Sequence, residues 1–422
     1  MADIEPFTIS IADSELAELK TRLSLARFPT ELDSSGWDYG TPLADVQRLT
    51  RYWKDSFDWR AAEQKLNSLP NFRTTITVQG FEPLKIHFVH RRSHVENAVP
   101  LLFVHGWPGS FIEVTKMLDD LALASGERGT STSTSSSSSS PPAFHVVAPS
   151  LPNFGFSEGP TRKGFAIAQY AETCHKLMLQ LGYTEYTTQA GDWGYYITRA
   201  MSLHYPSHCK ATHVNFDQGE PPALLRHPAL AIQHAVTPYT PAEKAGLQRT
   251  AWFLHESSGY RAQQATRPQT LGYALHDSPL GLLAWMYEKM HDWSDSYAWS
   301  ADEVCTWVSI YWFSTAGPAA SLRIYYEATH QWDDASRRVT RDRTREYIGG
   351  GVKLGLTHAP REVRVLPATW TRTQGDVVFE RGHDKGGHFF AWERPDDLVA
   401  DLRDMFGKGG GAYNVVKGKS GY

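Results

Sequence analysis

An aspartate set among small residues is the first feature of this sequence that could do chemistry. Asp192 stands in the segment "QAGDWGYYIT", after a β-prone stretch and before an apolar helical pattern. The apex of a tight strand-to-helix turn can expose a nucleophile, and it needs small neighbours because the backbone there is crowded. Ala190, Gly191 and Gly194 supply them. The pattern fits a nucleophilic carboxylate, but aspartate also caps many helices without any catalytic role.

A turn rich in glycine and proline precedes this aspartate along the chain. The segment "HGWPGS", residues 105–110, follows the apolar stretch "PLLFV". Such a turn directs backbone N–H groups towards the end of a strand, where they can stabilise an oxyanion. The amides of Trp107 and of Trp193, which follows Asp192, are the candidate donors. Alone the segment would be an ordinary turn, but together with Asp192 it predicts an oxyanion hole.

A histidine near the end of the chain is the candidate base. The segment "KGGHFFAWERP", residues 385–395, follows the last strand pattern and precedes the final helical pattern. His388 lies in this segment, and His383 is a competitor a few residues away. We favour His388 because two preceding glycines allow a sharply turned, exposed loop. A carboxylate, an oxyanion hole and a histidine in this order predict a hydrolytic site.

The elements that must position these residues follow from apolar segments that alternate with helical patterns. Buried strands separated by helices indicate a parallel sheet with helices on both faces, and such sheets carry their sites at the strands' carboxyl ends. We therefore predict an α/β fold. The predicted core strands are "VPLLFVHG", "FHVVAPS", "YTTQAGD", "CKATHVNF", "EVRVLPATW" and "DVVFERG", followed by a closing helix in "RPDDLVADLRDMF".

Outside this core the sequence predicts an N-terminal extension and a helical cap. The extension contains a helix near Asp13, a second from Asp45 to about Leu66, and the strand pair "TTITVQG" and "PLKIHFVHRR". Helical patterns dominate from about Asp217 to Gly317, with starts at Ser278-Pro279 and at the capping box of Ser300 and Glu303. The predicted domains are an extension (1–96), a first core part (97–216) with a disordered serine-rich insert (124–143), a cap (217–318), a second core part (319–406) and a flexible tail (407–422).

Composition excludes several classes of function. The net charge is −4 and no long basic block occurs, so neither nucleic acid nor an anionic membrane is an expected partner. The odd number of well-separated cysteines argues against a disulfide framework and a cysteine-based zinc site. Because no signal segment or long apolar run is apparent, we expect a cytoplasmic protein without a membrane anchor. The oligomeric state, including a homodimer, stays open. The cysteines are Cys174, Cys209 and Cys305.

Together these motifs resemble a known family. "HGWPGS", "GDWG" and "GGHF", in this order and with a helical insert before the histidine, resemble the epoxide hydrolases of the α/β-hydrolase fold. The leading segments "PFTISI", "FDWR" and "LNSLPNF" resemble the microsomal-type branch and its soluble fungal relatives. The resemblance covers roughly residues 5–405 apart from the serine-rich insert. It implies a mostly parallel sheet, a helical cap and an N-terminal extension.

The resemblance also implies a role for each site residue. It places the acid that orients the histidine at Glu362, whereas Asp376 and Asp384 are rival acids closer to the histidine in sequence. It also implies two proton-donating tyrosines, Tyr260 and Tyr325, and Tyr326 could be mistaken for the second because it is adjacent to Tyr325. The implied site comprises Asp192 as nucleophile, His388 as base, Glu362 as charge relay, Tyr260 and Tyr325 as proton donors, and the amides of Trp107 and Trp193 as oxyanion hole.

The implied reaction is the opening of an epoxide to a vicinal diol through a covalent aspartyl ester. Epoxide and water are the partners, and neither a metal nor an organic cofactor is required. The sequence departs from the family at Ala190 and Tyr195, where glycine and a small residue are usual. Tyr195 must therefore point away from the substrate or reshape the site. A haloalkane dehalogenase, an isomerase or cyclase acting on an epoxide, and a non-catalytic ligand receptor remain alternatives.

Overall fold

The computed structural model describes residues 4–123, 141–330 and 339–422. The predicted disordered insert spans residues 124–143, so all but its last three residues lie outside this part of the chain. Nine strands form one sheet in the described residues, in the order β1-β2-β3-β5-β4-β6-β7-β8-β9. The strands are β1 (Glu5–Pro6), β2 (Asn71–Thr77), β3 (Pro83–Arg91), β4 (Val99–Val104), β5 (Phe144–Pro149), β6 (Tyr186–Ala190), β7 (Cys209–Val214), β8 (Ile348–His358) and β9 (Gly375–Gly382).

The sheet has an antiparallel edge and a parallel centre. β1, β2 and β3 pair antiparallel, and β3 continues antiparallel onto β5. From β5 through β4 to β9 every pair is parallel. The carboxyl ends of β4 and β6 are therefore adjacent at one edge of the sheet, and the turns that follow them meet there. The α/β-hydrolase fold expected from the resemblance is confirmed.

Helices cover the sheet and build the cap. Ser278 accepts a hydrogen bond from the Gly281 amide at 3.0 Å, and Ser300 accepts one from the Glu303 amide at 3.2 Å, so both predicted helix starts are confirmed. The helices are α1 (Asp13–Ser24), α2 (Leu43–Asp55), α3 (Trp59–Asn67), α4 (Leu118–Ala122), α5 (Ile167–Gln180), α6 (Asp192–His204), α7 (Pro228–Val236), α8 (Pro241–Trp252), α9 (Gly259–Thr266), α10 (Pro268–Asp277), α11 (Pro279–Asp292), α12 (Ala301–Trp312), α13 (Arg323–Thr329), α14 (Arg341–Arg345), α15 (Ala368–Thr371), α16 (Phe390–Glu393) and α17 (Pro395–Phe406).

Two features of the extension and cap differ from the predicted boundaries. The helix expected from Asp45 to Leu66 is divided into α2 and α3, because the Asp58 side chain caps a new start by accepting from the Ala61 amide at 3.2 Å. The helical region also continues beyond residue 318 through α13, and the next strand is β8. The α2 side chain of Trp53 donates to Ser309 Oγ on α12 at 3.0 Å, which ties the extension to the cap.

The strand prediction for "EVRVLPATW" is wrong. Residues 362–367 form turns and α15 follows, while β8, which the sequence pattern does not reveal, takes the position in the sheet. The Val363 amide donates to its neighbour's carboxylate, Glu362 Oε1, at 2.6 Å, and the Val365 amide donates to Thr250 Oγ1 at 2.9 Å. Local and cap side chains therefore satisfy backbone groups that a strand would have paired.

Two compositional features can be placed in the fold. No helix in residues 4–123, 141–330 and 339–422 combines the length and the apolar character needed to cross a membrane. The cysteines are free thiols in the core, and burial raises the pKa of the Cys174 thiol to about 12. Such thiols pack as small apolar side chains and are poor nucleophiles.

The carboxyl-terminal tail is packed on the core, so the prediction of a flexible segment at 407–422 is wrong. Ala412 and Val416 are buried. The Gly421 amide donates to the Asn97 carbonyl at 2.7 Å, and the Gly421 carbonyl accepts from the Ala143 amide at 2.9 Å. The glycine-rich composition suggested mobility, but two apolar side chains and a short backbone ladder offset the cost of ordering the segment.

We expect Val416→Ala to destabilise the protein measurably. The valine is 3 % exposed, and losing its buried methyl groups should cost about 2 kcal/mol. The measurement is the apparent Tm of the variant against the parent, with Lys417→Ala as the matched control because Lys417 is exposed. Equal Tm values for the parent and Val416→Ala would show that the tail contributes nothing to stability.

Candidate active site

The turn between β6 and α6 places Asp192 at its apex. Asp192 has a positive φ of 46°, a conformation that non-glycine residues adopt only when their surroundings hold it. A Cβ on Gly194 would lie 2.0 Å from the Val104 carbonyl oxygen, so a side chain there would collide with β4. A Cβ on Gly106 would lie 2.3 Å from both Asp192 Cβ and Oδ1. The two glycines thus allow the strained turn and the loop after β4 to pack together.

The loop after β4 supplies a hydrogen bond to the carboxylate at this turn. The Trp107 amide donates to Asp192 Oδ1 at 2.7 Å. The Trp193 amide also acts on the carboxylate. Burial raises the pKa of Asp192, whereas His388 and the two amides oppose that increase by favouring the charged form. This arrangement has the geometry of the predicted oxyanion hole.

His388 lies between Asp192 and Glu362. Its Nε2 is 3.6 Å from Asp192 Oδ2, and its Nδ1 is 2.5 Å from Glu362 Oε1. The glycine pair before it has the expected conformational role. Gly386 has a φ of 108°, and a Cβ on Gly387 would lie 2.4 Å from the Trp293 carbonyl oxygen. The histidine is therefore fixed by its loop and oriented by one carboxylate toward the other.

The charges around His388 favour its protonated form. Burial by itself would lower the pKa of this imidazole. The carboxylates of Glu362, Asp192 and Glu113 outweigh burial and raise the pKa to about 9. An imidazolium close to Asp192 stabilises the ionised carboxylate, which is the form that can act as a nucleophile.

The competing residues are engaged elsewhere. His383 Nε2 lies 2.9 Å from Asp401 Oδ2, and Asp376 Oδ2 accepts from Lys353 Nζ at 2.7 Å. Asp384 is exposed. None of these three rival residues therefore lies in the site with Asp192. Glu362 contacts His388 from the turn segment that stands where a strand was predicted.

Two cap tyrosines face the loop and the elbow. The Tyr260 ring, on α9, stacks on Trp107 with centroids 5.3 Å apart and planes 13° apart. The Tyr325 ring, on α13, lies 4.8 Å from the Trp193 ring and 5.9 Å from the Tyr260 ring. By contrast, Tyr326 stacks on His330 at 3.7 Å and faces away. Tyr325 is thus the member of the adjacent pair that belongs to the site.

Both phenols keep their protons and can donate them. Burial raises the pKa of Tyr260 and of Tyr325, and the charge of Asp192 adds to both increases. The Tyr325 hydroxyl is buried without a partner in hydrogen-bonding geometry among the described residues. An unpaired buried hydroxyl is costly, so this donor is available for an oxygen atom of a ligand.

Sequence reasoning missed two polar residues at the site. Glu113 and Asn215 line a cavity of about 10 Å³ together with Asp192 and His388, close to the space that one water molecule requires. Burial raises the pKa of Glu113 to about 8. The pattern Ser110-x-x-Glu113 is a capping box, and its observed bond from the Ser110 amide at 3.2 Å gives it a structural role. The capping-box pattern gives no indication that Glu113 also lines the cavity beside Asp192.

The two departures from the family pattern have local explanations. Ala190 is buried, and its Cβ would lie 3.1 Å from a Cβ on Gly194, so the glycine at 194 leaves room for the methyl group at 190. Tyr195 is buried on the opposite side of α6 from the cavity. Its hydroxyl donates to Gln374 Oε1 and reaches the Thr344 carbonyl at 3.4 Å. Tyr195 therefore points away from the site.

Comparison with protein families agrees with this architecture. A family model described as "Epoxide hydrolase N terminus" matches residues 4–114, and a model described as "alpha/beta hydrolase fold" matches residues 99–215. With the strand order and the elbow at Asp192, these matches define the class: the chain is a hydrolase of the α/β-hydrolase fold.

The individual relatives narrow the class. A protein of Stigmatella aurantiaca, provisionally named an epoxide hydrolase, is 38 % identical over 96 % of this chain and 84 % of its own length. Epoxide hydrolase 1 of Sus scrofa is 32 % identical over 96 % of this chain and 88 % of its own. The structure of Aspergillus niger epoxide hydrolase superposes with a TM-score of 0.78 at 32 % identity, over 95 % of each chain. This chain belongs to the epoxide hydrolase family.

We expect Gly106→Ala to abolish most activity while the protein still folds. The added methyl group would displace the Asp192 carboxylate, and a shift of about 1 Å at a reacting group can cost on the order of a hundredfold in rate. The measurement is kcat/KM for styrene oxide together with the circular dichroism spectrum. Gly382→Ala is the matched control, since a Cβ there meets no atom within 4 Å. Full activity in Gly106→Ala would contradict the tight packing of loop and elbow.

Proposed function

We propose that this enzyme hydrolyses an epoxide to a vicinal diol through a covalent ester on Asp192. One observation carries the proposal. A carboxylate with a 2.7 Å amide hydrogen bond on Oδ1 and an imidazole 3.6 Å from Oδ2 lies beneath two buried phenols. An epoxide needs a nucleophile at carbon and a proton donor at oxygen, and Asp192 and the two phenols can supply them.

In the first step Asp192 Oδ2 attacks a ring carbon, and the bond from that carbon to the ring oxygen breaks. The carboxylate already carries its charge, so no base has to activate it. Tyr260 and Tyr325 bind the departing oxygen and supply its proton. Serine at this turn would suit attack on an acyl carbon, whereas an aspartate forms an ester with an sp³ carbon.

In the second step a water molecule hydrolyses the ester. Esterification removes the negative charge of Asp192, and one of the causes that raise the pKa of His388 is lost with it. The neutral imidazole, oriented by Glu362, accepts a proton from the water as its oxygen attacks the ester carbonyl. The amides of Trp107 and Trp193 stabilise the oxyanion on Oδ1, with each such donor worth about 3 kcal/mol. The bond between the carboxyl carbon and Oδ2 then breaks, and the diol leaves with Oδ2 and a proton from the imidazolium. The second water proton, released from the regenerated carboxyl group, restores the phenol.

The small cavity beside His388 is the position that we assign to this water. Asp192 and His388 line it, and Glu113 and Asn215 provide further polar lining. Asn215 accepts from Gln189 Nε2 at 2.7 Å, which fixes its side-chain amide. The substrates are therefore an epoxide and water, and the residues of this site do the chemistry without an added cofactor. The three cysteines are free and buried, which supports a reducing compartment such as the cytoplasm.

We expect His388→Gln to trap the covalent ester. Without a base the second step stops, whereas attack by the carboxylate still proceeds. After incubation with styrene oxide, intact-protein mass spectrometry should show one added substrate mass, and peptide mapping should place it on the peptide that contains Asp192. His383→Gln is the matched control, because this neighbouring histidine binds Asp401 and lies outside the site.

The result that would overturn the ester route is equally direct. An unmodified mass for His388→Gln, combined with undiminished diol formation, would mean that water attacks the epoxide without an enzyme-bound intermediate. The additional substitution Asp192→Asn should abolish the adduct. An adduct that survives this substitution would identify a different nucleophile.

The two steps should respond differently to pH. Ester hydrolysis needs neutral His388, so its rate should fall as pH falls through the pKa of that residue. This pKa is raised to about 9 in the free enzyme and is lower once Asp192 is esterified. Ester formation needs only ionised Asp192 and fails at more acidic pH. We therefore expect the fraction of enzyme held as ester, measured by acid quench and mass spectrometry, to rise as pH falls through this lower pKa, with a midpoint below about 9.

A charge variant provides the control for this pH profile. Glu362→Gln removes the largest cause that raises the pKa of His388, so the midpoint of ester hydrolysis should move to lower pH even though the overall rate falls. An ester fraction that is highest at the alkaline end would contradict the assignment of His388 as the base.

A further inference from the structure

A second cavity, of about 680 Å³, lies between the cap and the core near the catalytic residues but is not lined by them. Its walls come from the turn between β2 and β3, the start of α5, the end of α13 and the segment around α14. Its volume falls in the range of small-molecule sites. We call it the arginine cavity because four guanidinium groups line it, those of Arg261, Arg341, Arg345 and Arg364.

The charges that line the arginine cavity do not balance. Arg345 forms ion pairs with Glu220 at 2.9 Å and Asp342 at 3.4 Å. In the described part of the chain, Arg261, Arg341 and Arg364 have no carboxylate oxygen within 4 Å. The carboxylates on the lining are Glu327, whose Oε2 accepts from the Gly164 amide at 2.9 Å, and Asp342. Positive charge is therefore in excess.

All four of these arginines are partly buried, which is costly without an anion. Arg341 and Arg364 are half-buried, and the Nε of each is buried without a partner in the described residues. Burial lowers the pKa of Arg364, in keeping with a charge that its surroundings do not neutralise. Partly desolvated guanidinium groups without carboxylates are an arrangement that a bound anion would stabilise.

The arginine cavity is one side-chain layer from the reacting groups. Arg341 Nη2 donates to Tyr196 Oη at 3.0 Å, and its guanidinium carbon is 5.6 Å from the centroid of the Trp193 ring. Trp193 follows the nucleophile and contacts Tyr325 at 4.8 Å. Arg261 follows Tyr260 directly in α9. A ligand that reaches both the phenols and the arginines must therefore pass the Trp193 ring.

We propose that the arginine cavity binds a carboxylate at the far end of the epoxide substrate. This inference rests on the function proposed above and adds a substrate class to it: epoxides joined by an apolar chain to an anionic group. Phe81, Leu254 and Ala328 supply apolar wall for that chain. Arginine binds carboxylates through two parallel hydrogen bonds, which gives orientation as well as affinity. Anchoring this end fixes which ring carbon faces Asp192.

The test compares matched substrates on the full-length enzyme. Terminal epoxyalkanoates of increasing chain length are paired with their methyl esters, which keep the shape and lose the charge. We expect kcat/KM for the acid to exceed that for the ester at the chain length that spans the site, by roughly tenfold or more, as for hydrogen bonds to a charged group. Styrene oxide, which carries no anionic end, reports the basic reaction separately.

Variants identify the groups responsible. Arg261→Gln and Arg364→Gln should each reduce the ratio of acid to ester by roughly tenfold. Arg343→Gln is the matched control. Arg343 lies on α14 but pairs with Glu346 at 2.7 Å and does not line the arginine cavity, so the parent ratio should be retained. Arg261 is at the cap surface and its substitution carries little risk of misfolding. Free inorganic phosphate should compete with the acids and leave the esters unaffected.

The outcomes separate this inference from the proposed function. Turnover of styrene oxide with no preference for any acid over its ester overturns the carboxylate site and leaves the function intact. Absence of turnover for every epoxide overturns the proposed function. In that case a binding measurement still tests whether the arginine cavity takes a carboxylate. Calorimetry with an unreactive alkanoate and the alkanol of equal length should show tighter binding of the alkanoate, lost in Arg364→Gln. Equal binding of the two overturns the inference.

Discussion

The site depends on the stabilisation of an ionised carboxylate, that of Asp192, in a largely buried turn. Burial disfavours this charge and raises the pKa of the group. An amide hydrogen bond at 2.7 Å and an imidazole at 3.6 Å offset part of that penalty. In the proposed mechanism, the same groups later act on the ester, as oxyanion donor and base. Stabilisation of the resting nucleophile and catalysis of its release thus use one set of contacts, which explains why the loop after β4 packs so tightly against the elbow.

In the proposed mechanism, His388 couples the two steps of the reaction through charge. Its pKa is about 9 because several carboxylates surround it, and in that state it stabilises Asp192 but cannot accept a proton. Ester formation neutralises one of those carboxylates and makes the imidazole a better base when a base is required. Glu362 Oε1 is 2.5 Å from Nδ1 and orients the ring. In the proposed mechanism the order of the two steps therefore follows from electrostatics.

Much of this arrangement could be predicted from sequence because its signals are local. The glycines around Asp192, the turn at Trp107 and the glycine pair before His388 each report a backbone constraint at the position where it acts. Glu362 was found through the resemblance, although the strand assigned to its segment was wrong. Glu113 was not predicted because the capping box already accounts for a glutamate at this position, without any role in the site. The arginine cavity was not predicted because its four guanidinium groups come from helices and turns far apart in the chain, and only the fold brings them together.

The arginines also bear on the proton donors. A phenol that gives its proton to the ring oxygen becomes a phenolate in a buried, apolar site, and an uncompensated charge there is expensive. Arg341 is close enough to lower the pKa of Tyr260 against the larger effect of burial, and Tyr325 in turn favours the charge of Arg341. A cation behind the two phenols stabilises the transition state in which they donate. In the proposed site, the group that would help to bind an anionic substrate is therefore also placed to support proton transfer.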